Sequence, residues 1–426
     1  MKWLRSWKTR TLLLLAVIGP GFITANVDND AGGIYVYSSA GARFGYTLLW
    51  SIIPITIALI VVQEMCARMG AVTGKGLSDL IREEYGLRAT FLVMAALVVI
   101  NFSNVMAEFI GIATSLEPLH VSRWISVPVC ALIVWLIVIK GNYKSIEKIF
   151  LTASFFYVSY IVAGVLAHPD WTHAVKATFV PPPGTDFRDK EYVYMLVGII
   201  GTTIAPWMQF YLQASVVEKG VTARQYGASR LDVIFGCVFT DVVAWFIIVA
   251  CAATLYLSSQ AATGKGMVID DAVQAAKALG PLAGKYAQIL FGAGLFNASL
   301  FAASILPLST AYTVCEGLGF ESGLDKKFDE AKVFYWLYTV LVAAGAAVTL
   351  IPGLPLIKVS ILSQVLNGVL LPPILIYMLL LINKRRLMGK YVNSRTFNII
   401  AWSTAGIIIA LTIVYMFMSM GHPAQG

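Results

Sequence analysis

The sequence has little charge, few histidines and few cysteines, and each scarcity excludes a class of protein. Only 13% of its 426 residues are charged and 58% are hydrophobic, whereas a soluble globular domain carries about 25% charged residues. The four histidines and five cysteines show neither metal-ligand spacing nor a paired extracellular pattern. These deficits exclude a soluble enzyme, a nucleic-acid-binding domain and a secreted disulfide-linked domain.

The sequence is instead rich in long apolar segments. A helix needs about 20 apolar residues to cross a bilayer, and β-barrel strands would be about ten residues long with alternating polarity. The sequence therefore predicts an all-α polytopic membrane protein with 11 transmembrane helices. In chain order, helices 1 to 11 are predicted at residues 11–38, 46–67, 89–115, 123–140, 147–167, 191–217, 232–257, 286–314, 333–351, 356–382 and 397–420.

The basic residues predict how the chain is oriented. The N-terminus and every second loop together hold 22 of the 31 lysines and arginines, and loops rich in basic residues stay in the cytoplasm. This bias places the N-terminus inside and, after eleven crossings, the C-terminus outside. It also accounts for the net charge of +8 without a nucleic-acid partner. Short loops and the lack of sorting signals favour a plasma (inner) membrane location.

Helices 1 and 6 contain residues that interrupt a helix. Residues 28–33 of helix 1 read DNDAGG, and residues 201–206 of helix 6 read GTTIAP. Irregular backbone at membrane depth is tolerated only where protein or a water-filled cavity satisfies its polar groups. Breaks at matching positions of two halves are typical of inverted repeats. The sequence predicts a 5+5 inverted repeat with residues 1–167 and 191–382 as its halves, an extracellular loop at 168–190, and helix 11 with the tail at 383–426.

The residues at both breaks offer oxygen ligands. An aspartate at a helix centre costs about 2.5–3.5 kcal/mol during insertion, so two in one break require a compensating partner. Carboxylates, hydroxyls and carbonyls suit hard metal cations, and neither break contains histidine or cysteine. The predicted metal ligands are Asp28, Asp30, the freed carbonyls of Val27 and Thr202, and Gln209.

Other polar residues within the helices are candidates for an ion pathway or for bonds between helices. Asn101, Asn104 and Glu108 fall on one face of helix 3. Asp232 and Asp241 on helix 7 are interpreted as structural partners. The predicted pathway residues are Asn29, Thr203, Glu108, Asn297, Gln364 and Asn367.

The sequence resembles the Nramp family of divalent-metal transporters. The strongest match is GPGF at 19–22 followed by DAGG at 30–33, where the family carries G-P-G…D-P-G-N. The resemblance implies the LeuT-type fold, in agreement with the inverted repeat, and transport of a metal ion. Weaker matches extend along the chain, at AEFIG (107–111), CEG (315–317), SQV (363–365) and LP (371–372).

Departures from the family pattern resemble a particular branch, the Nramp-related magnesium transporters. The family's aspartate falls on Asp30, but its asparagine falls on Gly33 and its helix 6 methionine falls on Ala205. Losing sulfur removes the soft ligand that distinguishes Mn²⁺ or Fe²⁺ from Mg²⁺, and smaller side chains leave room for a partly hydrated ion. The resemblance thus adds Gly33 and Ala205 to the metal site. Three further family positions, an acid, a histidine and a glutamine, fall on Val105, Trp207 and Leu370.

These observations predict import of Mg²⁺, and also Mn²⁺, by alternating access without protons. Val105 and Trp207 stand where the family has titratable groups. A divalent ion gains about 4.6 kcal/mol per 100 mV, enough for roughly thousandfold accumulation. The alternatives are a proton-coupled Mn²⁺/Fe²⁺ importer and, disfavoured by the paired carboxylates, an organic-solute symporter. The motifs H-E-x-x-H and G-x-S-x-G are absent, so an intramembrane enzyme is not expected; nor is a resident cofactor or an obligate protein partner.

Overall fold

A computed structural model describes residues 19–141, 148–149, 152, 154–183, 185–269, 274 and 287–420. Within these residues the ordered elements are helices, and no β-strand is found. Nine of the described helices, helix 2, helix 3, helix 4 and helices 6 to 11, are long and apolar enough to cross a membrane. Helix 1 consists of two shorter halves, and helix 5 is described only in part. The predicted all-α polytopic architecture is therefore confirmed.

The uninterrupted helices follow the predicted order, with shifted ends. Helix 3 begins twelve residues earlier than predicted and is kinked at Gly86, whose φ is 79°. Helix 7 continues through a π-helical turn, Ala252–Tyr256, into Leu257–Thr263. Helix 5 is described as Val158–Leu166 after a short turn, and residues 147, 150, 151 and 153 of its predicted range lie outside the described residues. The other bounds are Ile52–Thr73 (helix 2), Leu77–Leu116 (helix 3), Arg123–Lys140 (helix 4), Tyr226–Cys251 (helix 7), Ala287–Leu318 (helix 8), Lys332–Thr349 (helix 9), Leu356–Ile382 (helix 10) and Arg395–Met420 (helix 11).

Both predicted helix breaks are present. Helix 1 runs over Pro20–Asn26, tightens into a 3₁₀ turn at Val27–Asn29, and resumes at Ala31–Phe44. The first part of its predicted range, 11–18, lies outside the described residues. Asp30 between the two halves is extended, and its side chain caps the second half by accepting a hydrogen bond from the Gly33 N–H at 2.6 Å.

Helix 6 is broken by its proline. It runs over Lys190–Thr203 and resumes at Pro206–Glu218. Ala205 is extended, with φ −63° and ψ 139°, as expected for a residue before proline. Pro206 occupies the first helical position, where the missing N–H has no helical partner to lose. The breaks predicted in helices 1 and 6 are thus both confirmed.

The first half of helix 1 is fixed to helix 7 by small residues and one carboxylate. A Cβ on Gly236 would lie 2.7 Å from the Cα of Phe22, so the two backbones touch. Asp232 accepts hydrogen bonds from the N–H groups of Gly19 and Gly21, both at 2.8 Å, and of Phe22 at 3.2 Å. Asp232 is thus a structural residue that satisfies the open N-terminus of helix 1.

The outer helices present apolar side chains to the bilayer. Trp124 and Ile125 of helix 4 and Ile399 and Ile407 of helix 11 are exposed, as expected for surfaces that contact lipid. The two halves of helix 1 are buried by comparison, between helices 3, 7 and 10 and the two halves of helix 6. The breaks therefore lie in the protein interior.

Candidate metal centre

The break of helix 1 and the break of helix 6 lie side by side and are joined by a few polar contacts. The Tyr37 hydroxyl lies 2.8 Å from Oγ1 of Thr203 and donates to Oδ2 of Asp28 at 3.3 Å. A Cβ built on Gly33 would lie 3.0 Å from Oγ1 of Thr202 and 3.3 Å from Oδ1 of Asp30. The structure thus brings together several of the predicted ligands from two helices.

Two carboxylates at this point are almost completely removed from solvent. Asp28 is 2% exposed and Asp30 is 3% exposed. Asp30 is held by the Gly33 N–H, whereas Oδ1 of Asp28 has no hydrogen-bond partner. Burying an ionised carboxylate without compensation is costly, so this arrangement requires a cation or a proton.

Further oxygen atoms around the breaks are buried and unpartnered. They include Oγ1 of Thr202, Oε1 of Glu108 and Oδ1 of Asn29. The other oxygen of Glu108, Oε2, accepts a hydrogen bond from the Ala31 N–H at 3.2 Å. Buried polar atoms normally have partners, and unpartnered oxygens near two carboxylates are ligands suited to a hard cation or its bound water.

The small residues at the centre have different surroundings. A Cβ on Gly33 would collide with the carbonyl oxygen of Asp28, so this position holds glycine because the chain folds tightly against it. Ala205 and Val27 are buried beside the breaks. The amide nitrogen of Gln209 faces two backbone carbonyls and donates to that of Ala205 at 2.7 Å and to that of Pro206 at 2.5 Å. Gln209 thus bonds the start of its own helical segment.

The predicted pathway residues on helices 3 and 10 form an amide network. Asn104 and Asn367 exchange two hydrogen bonds, at 3.0 and 3.1 Å. Asn367 also donates to Oε1 of Gln364 at 2.8 Å, and the Gln364 side chain lies directly against Gly32. The network therefore connects helix 3 and helix 10 to the second half of helix 1. Asn297 on helix 8 is half-buried.

Two positions at which the Nramp resemblance places titratable side chains are buried in apolar contacts. Val105 packs against Gly345 of helix 9, where a glycine Cβ would lie 2.6 Å from Cγ1 of the valine. Trp207 is buried, and its carbonyl accepts a hydrogen bond from Ser309 at 3.0 Å. Neither side chain can exchange a proton.

Sequence reasoning did not find every residue at the centre. Tyr37 lies seven residues after Asp30, two helical turns along the same face, and this spacing was the available signal. The buried Tyr157, in the short turn before helix 5, lies within electrostatic range of Asp30 and Glu108, and its hydroxyl is unpartnered. No motif marks this tyrosine. Among the described residues, no group of three or more His, Cys, Asp or Glu side chains forms a metal cluster.

The fold and the centre define a polytopic helical membrane protein of LeuT type with a buried acidic site between two broken helices. The family model described as "Natural resistance-associated macrophage protein-like" matches residues 21–418. The chain belongs to this family, the Nramp family.

Curated relatives match almost the whole chain. The divalent metal cation transporter MntH of Deinococcus radiodurans is 27% identical over 421 residues, covering 96% of this chain and 91% of the relative. MntH of Klebsiella pneumoniae subsp. pneumoniae is 26% identical over 404 residues, covering 93% and 92%.

A solved structure supports the same fold. The manganese transporter of Eremococcus coleocola, in complex with an aromatic bis-isothiourea substituted compound, superposes with a TM-score of 0.74. It is 22% identical, with 96% of this chain and 86% of that chain covered. A histidine-to-alanine mutant of that transporter has the same TM-score of 0.74 at 20% identity, with 99% and 90% covered. At this identity the likeness concerns the fold alone.

Proposed function

We propose that this protein imports divalent metal cations, Mg²⁺ and also Mn²⁺, by alternating access. The observation that carries the proposal is the group of buried oxygen donors between the two helix breaks, headed by Asp28 and Asp30. Relatives named as divalent metal cation transporters, which align over most of their length, support the substrate class.

Magnesium is proposed from the chemistry of the donors. Where the Nramp resemblance places a thioether and an amide, this chain has Ala205 and Gly33. Mg²⁺ takes oxygen ligands, loses water reluctantly and is usually held by one or two carboxylates. A site with two carboxylates and without sulfur no longer favours softer transition metals. Mn²⁺ is close to Mg²⁺ in hardness and is expected to pass as well.

Each residue has a proposed role. Asp28 and Asp30 hold the cation, and Gly33 and Ala205 act by their small size. The carbonyls of Val27 and Thr202 and the side chain of Gln209 complete the site or hold its water. The ion pathway is lined by Asn29, Thr203, Glu108, Asn297, Gln364 and Asn367.

The proposal includes the organisation of the chain in the membrane. Residues 1–167 and 191–382 form the two inverted repeats, joined by the extracellular loop 168–190, and residues 383–426 add helix 11 and the tail. The N-terminus is cytoplasmic and the C-terminus extracytoplasmic in a plasma (inner) membrane. The protein works as a monomeric carrier, not as an enzyme, and needs no resident cofactor.

The membrane potential supplies the driving force. Val105 and Trp207 replace titratable side chains of the family and are buried among apolar neighbours, which removes two proton-exchanging groups. A divalent cation gains about 4.6 kcal/mol per 100 mV, so coupling to protons is not required for accumulation.

One observation favours a second candidate, a proton-coupled Mn²⁺/Fe²⁺ importer. Glu108 is fully buried, and its Oε1 has no hydrogen-bond partner. A carboxyl group in this state exchanges a proton when the site opens. Glu108 and Asp28 would then carry the protons.

Metal-dependent stabilisation of the purified protein tests the substrate class. A ligand that binds only the folded state raises the unfolding temperature, and the effect grows with its concentration. We expect stabilisation by Mg²⁺ and Mn²⁺, and none by amino acids, in the same detergent and ionic strength. Stabilisation by Mn²⁺ and Fe²⁺ but not by Mg²⁺ would favour the proton-coupled importer. Stabilisation by amino acids alone would reject metal transport.

A further inference from the structure

Helix 7 places a third carboxylate next to the 3₁₀ turn of helix 1, Val27–Asn29. Asp241 is 2% exposed, and neither of its carboxylate oxygens has a hydrogen-bond partner. Thr56 of helix 2 lies beside the carboxylate, and its hydroxyl also donates to the carbonyl of Ile52 at 2.8 Å. Among the described residues no lysine or arginine forms an ion pair with Asp241, so its charge is buried without a cationic partner.

The residue before Asp241 fixes the distance between helix 7 and the turn. The amide nitrogen of Asn29 donates to Oγ1 of Thr240 at 2.7 Å and to the Thr240 carbonyl at 3.3 Å. This bond orients the Asn29 side chain and leaves its oxygen, Oδ1, buried and unpartnered. An amide whose nitrogen is anchored and whose oxygen is unused is suited to binding a cation.

Asp28 lies between this group and the centre described above. Its Oδ1 is unpartnered, and both Asp241 and Asp30 are within electrostatic range of it. Buried carboxylates within range of one another repel each other in a low-dielectric interior. A cation beside Asp30 compensates one side of Asp28 and leaves Asp241 uncompensated.

We propose that Asp241, Asn29 and Asp28 form a second position for the transported divalent cation, between helix 7 and the turn of helix 1. The inference rests on the proposed function, because the ion is the same. Asp28 is shared, so the ion moves between the position at Asp241 and the position at Asp30 by exchanging carboxylate partners. Two ions repel each other across Asp28, and the second binds more weakly than the first.

Counting bound Mn²⁺ tests this proposal. Free Mn²⁺ is measured by electron paramagnetic resonance in titrations of the full-length protein in detergent. We expect two binding events per wild-type chain, one in Asp241→Asn, one in Asp30→Asn, and none in the double variant. The matched control, Asp186→Asn, removes an exposed carboxylate from the loop before helix 6 and should keep both events.

The outcomes separate this inference from the proposed function. A single event in the wild type that survives Asp241→Asn and disappears in Asp30→Asn overturns the second position and leaves the proposed function intact. A third outcome is two binding events in the wild type, one event in Asp241→Asn and two events in Asp30→Asn. This outcome supports the second position and rejects Asp30 as a ligand. No bound Mn²⁺ in the wild type overturns both.

A second variant keeps the test valid if Asp241→Asn does not fold. Asn29→Ala removes the amide oxygen from the second position without changing the charge of the protein. We expect the weaker event to lose at least tenfold in affinity while the stronger event stays within about threefold of the wild type. Equal losses in both events would contradict separate positions.

Discussion

Asp30 has two roles that different substitutions separate. As an N-cap it accepts a hydrogen bond from Gly33, and as a charged group it lies at the proposed ion position. Replacing an N-cap aspartate by alanine costs about 1 kcal/mol of stability, whereas asparagine caps nearly as well. The two substitutions therefore report on different properties of the same residue.

We predict that Asp30→Asn abolishes Mg²⁺ uptake while the protein remains folded. The asparagine keeps the cap and removes the negative charge, so a transport defect cannot come from a lost helix start. Uptake is measured with an interior magnesium dye, and folding by size-exclusion profile and unfolding temperature. Near-normal uptake by this variant would reject Asp30 as a principal ligand.

The two small residues at the centre should respond differently to enlargement. Ala205→Met adds a thioether near the ion and should shift competition toward Mn²⁺ over Mg²⁺. Gly33→Ala places a Cβ against the Asp28 carbonyl, so it should displace the turn and reduce uptake of both ions. The measurement is uptake of each metal in competition, at equal amounts of reconstituted protein.

An unchanged Mg²⁺/Mn²⁺ ratio in Ala205→Met would count against its role in ion choice. A Gly33→Ala variant with normal uptake would contradict the tight contact with Asp28. The family pattern has asparagine at position 33, but in this structure the backbone must move before any larger side chain fits there. Contacts of this kind are not encoded by residue spacing.

The sequence located the centre because its residues are chemically out of place in a membrane. Two aspartates, paired glycines and a proline inside apolar segments predicted both breaks. Tyr157 lies in a short turn that no motif marks, and Asp241 lies on an otherwise regular helix, so neither was assigned to the site. Which face of helix 7 meets the turn of helix 1 depends on packing between distant segments.

At the scale of single helices, Asp232 controls the start of helix 1. It accepts three backbone hydrogen bonds from the first residues of that helix, and unsatisfied buried donors cost about 1–3 kcal/mol each. We predict that Asp232→Ala lowers the free energy of unfolding by about 2–3 kcal/mol. Asp232→Asn, which keeps an acceptor oxygen, should lose less. Thermal unfolding in detergent measures both.

If Asp232→Ala unfolds at the wild-type temperature, the three hydrogen bonds do not hold the start of helix 1. Sequence reasoning identified Asp232 as a structural partner but not what it binds, because its donors are more than 200 residues away in the chain.

The existence and order of the helices were predicted better than their ends. Apolar length is set by the bilayer, whereas the kink at Gly86 and the π-helical turn after Cys251 depend on local backbone geometry.

At the scale of the whole molecule, the acidic centre is buried. On one side of it, Arg43 at the end of helix 1 forms a partly exposed ion pair with Glu191 at the start of helix 6. Under the proposed alternating access the ion reaches the centre from each side in turn, so this contact must open. The direction of net movement then depends on what drives the ion.

The most direct test measures metal and proton movement together. Proteoliposomes are loaded with a magnesium dye and a pH dye, an interior-negative potential is imposed, and Mg²⁺ is added outside; protein-free vesicles and Asp30→Asn serve as controls. We predict Mg²⁺ entry that increases with the potential, without acidification beyond that of protein-free vesicles. Acidification that follows Mg²⁺ entry, and is lost in Asp30→Asn, would contradict uncoupled transport.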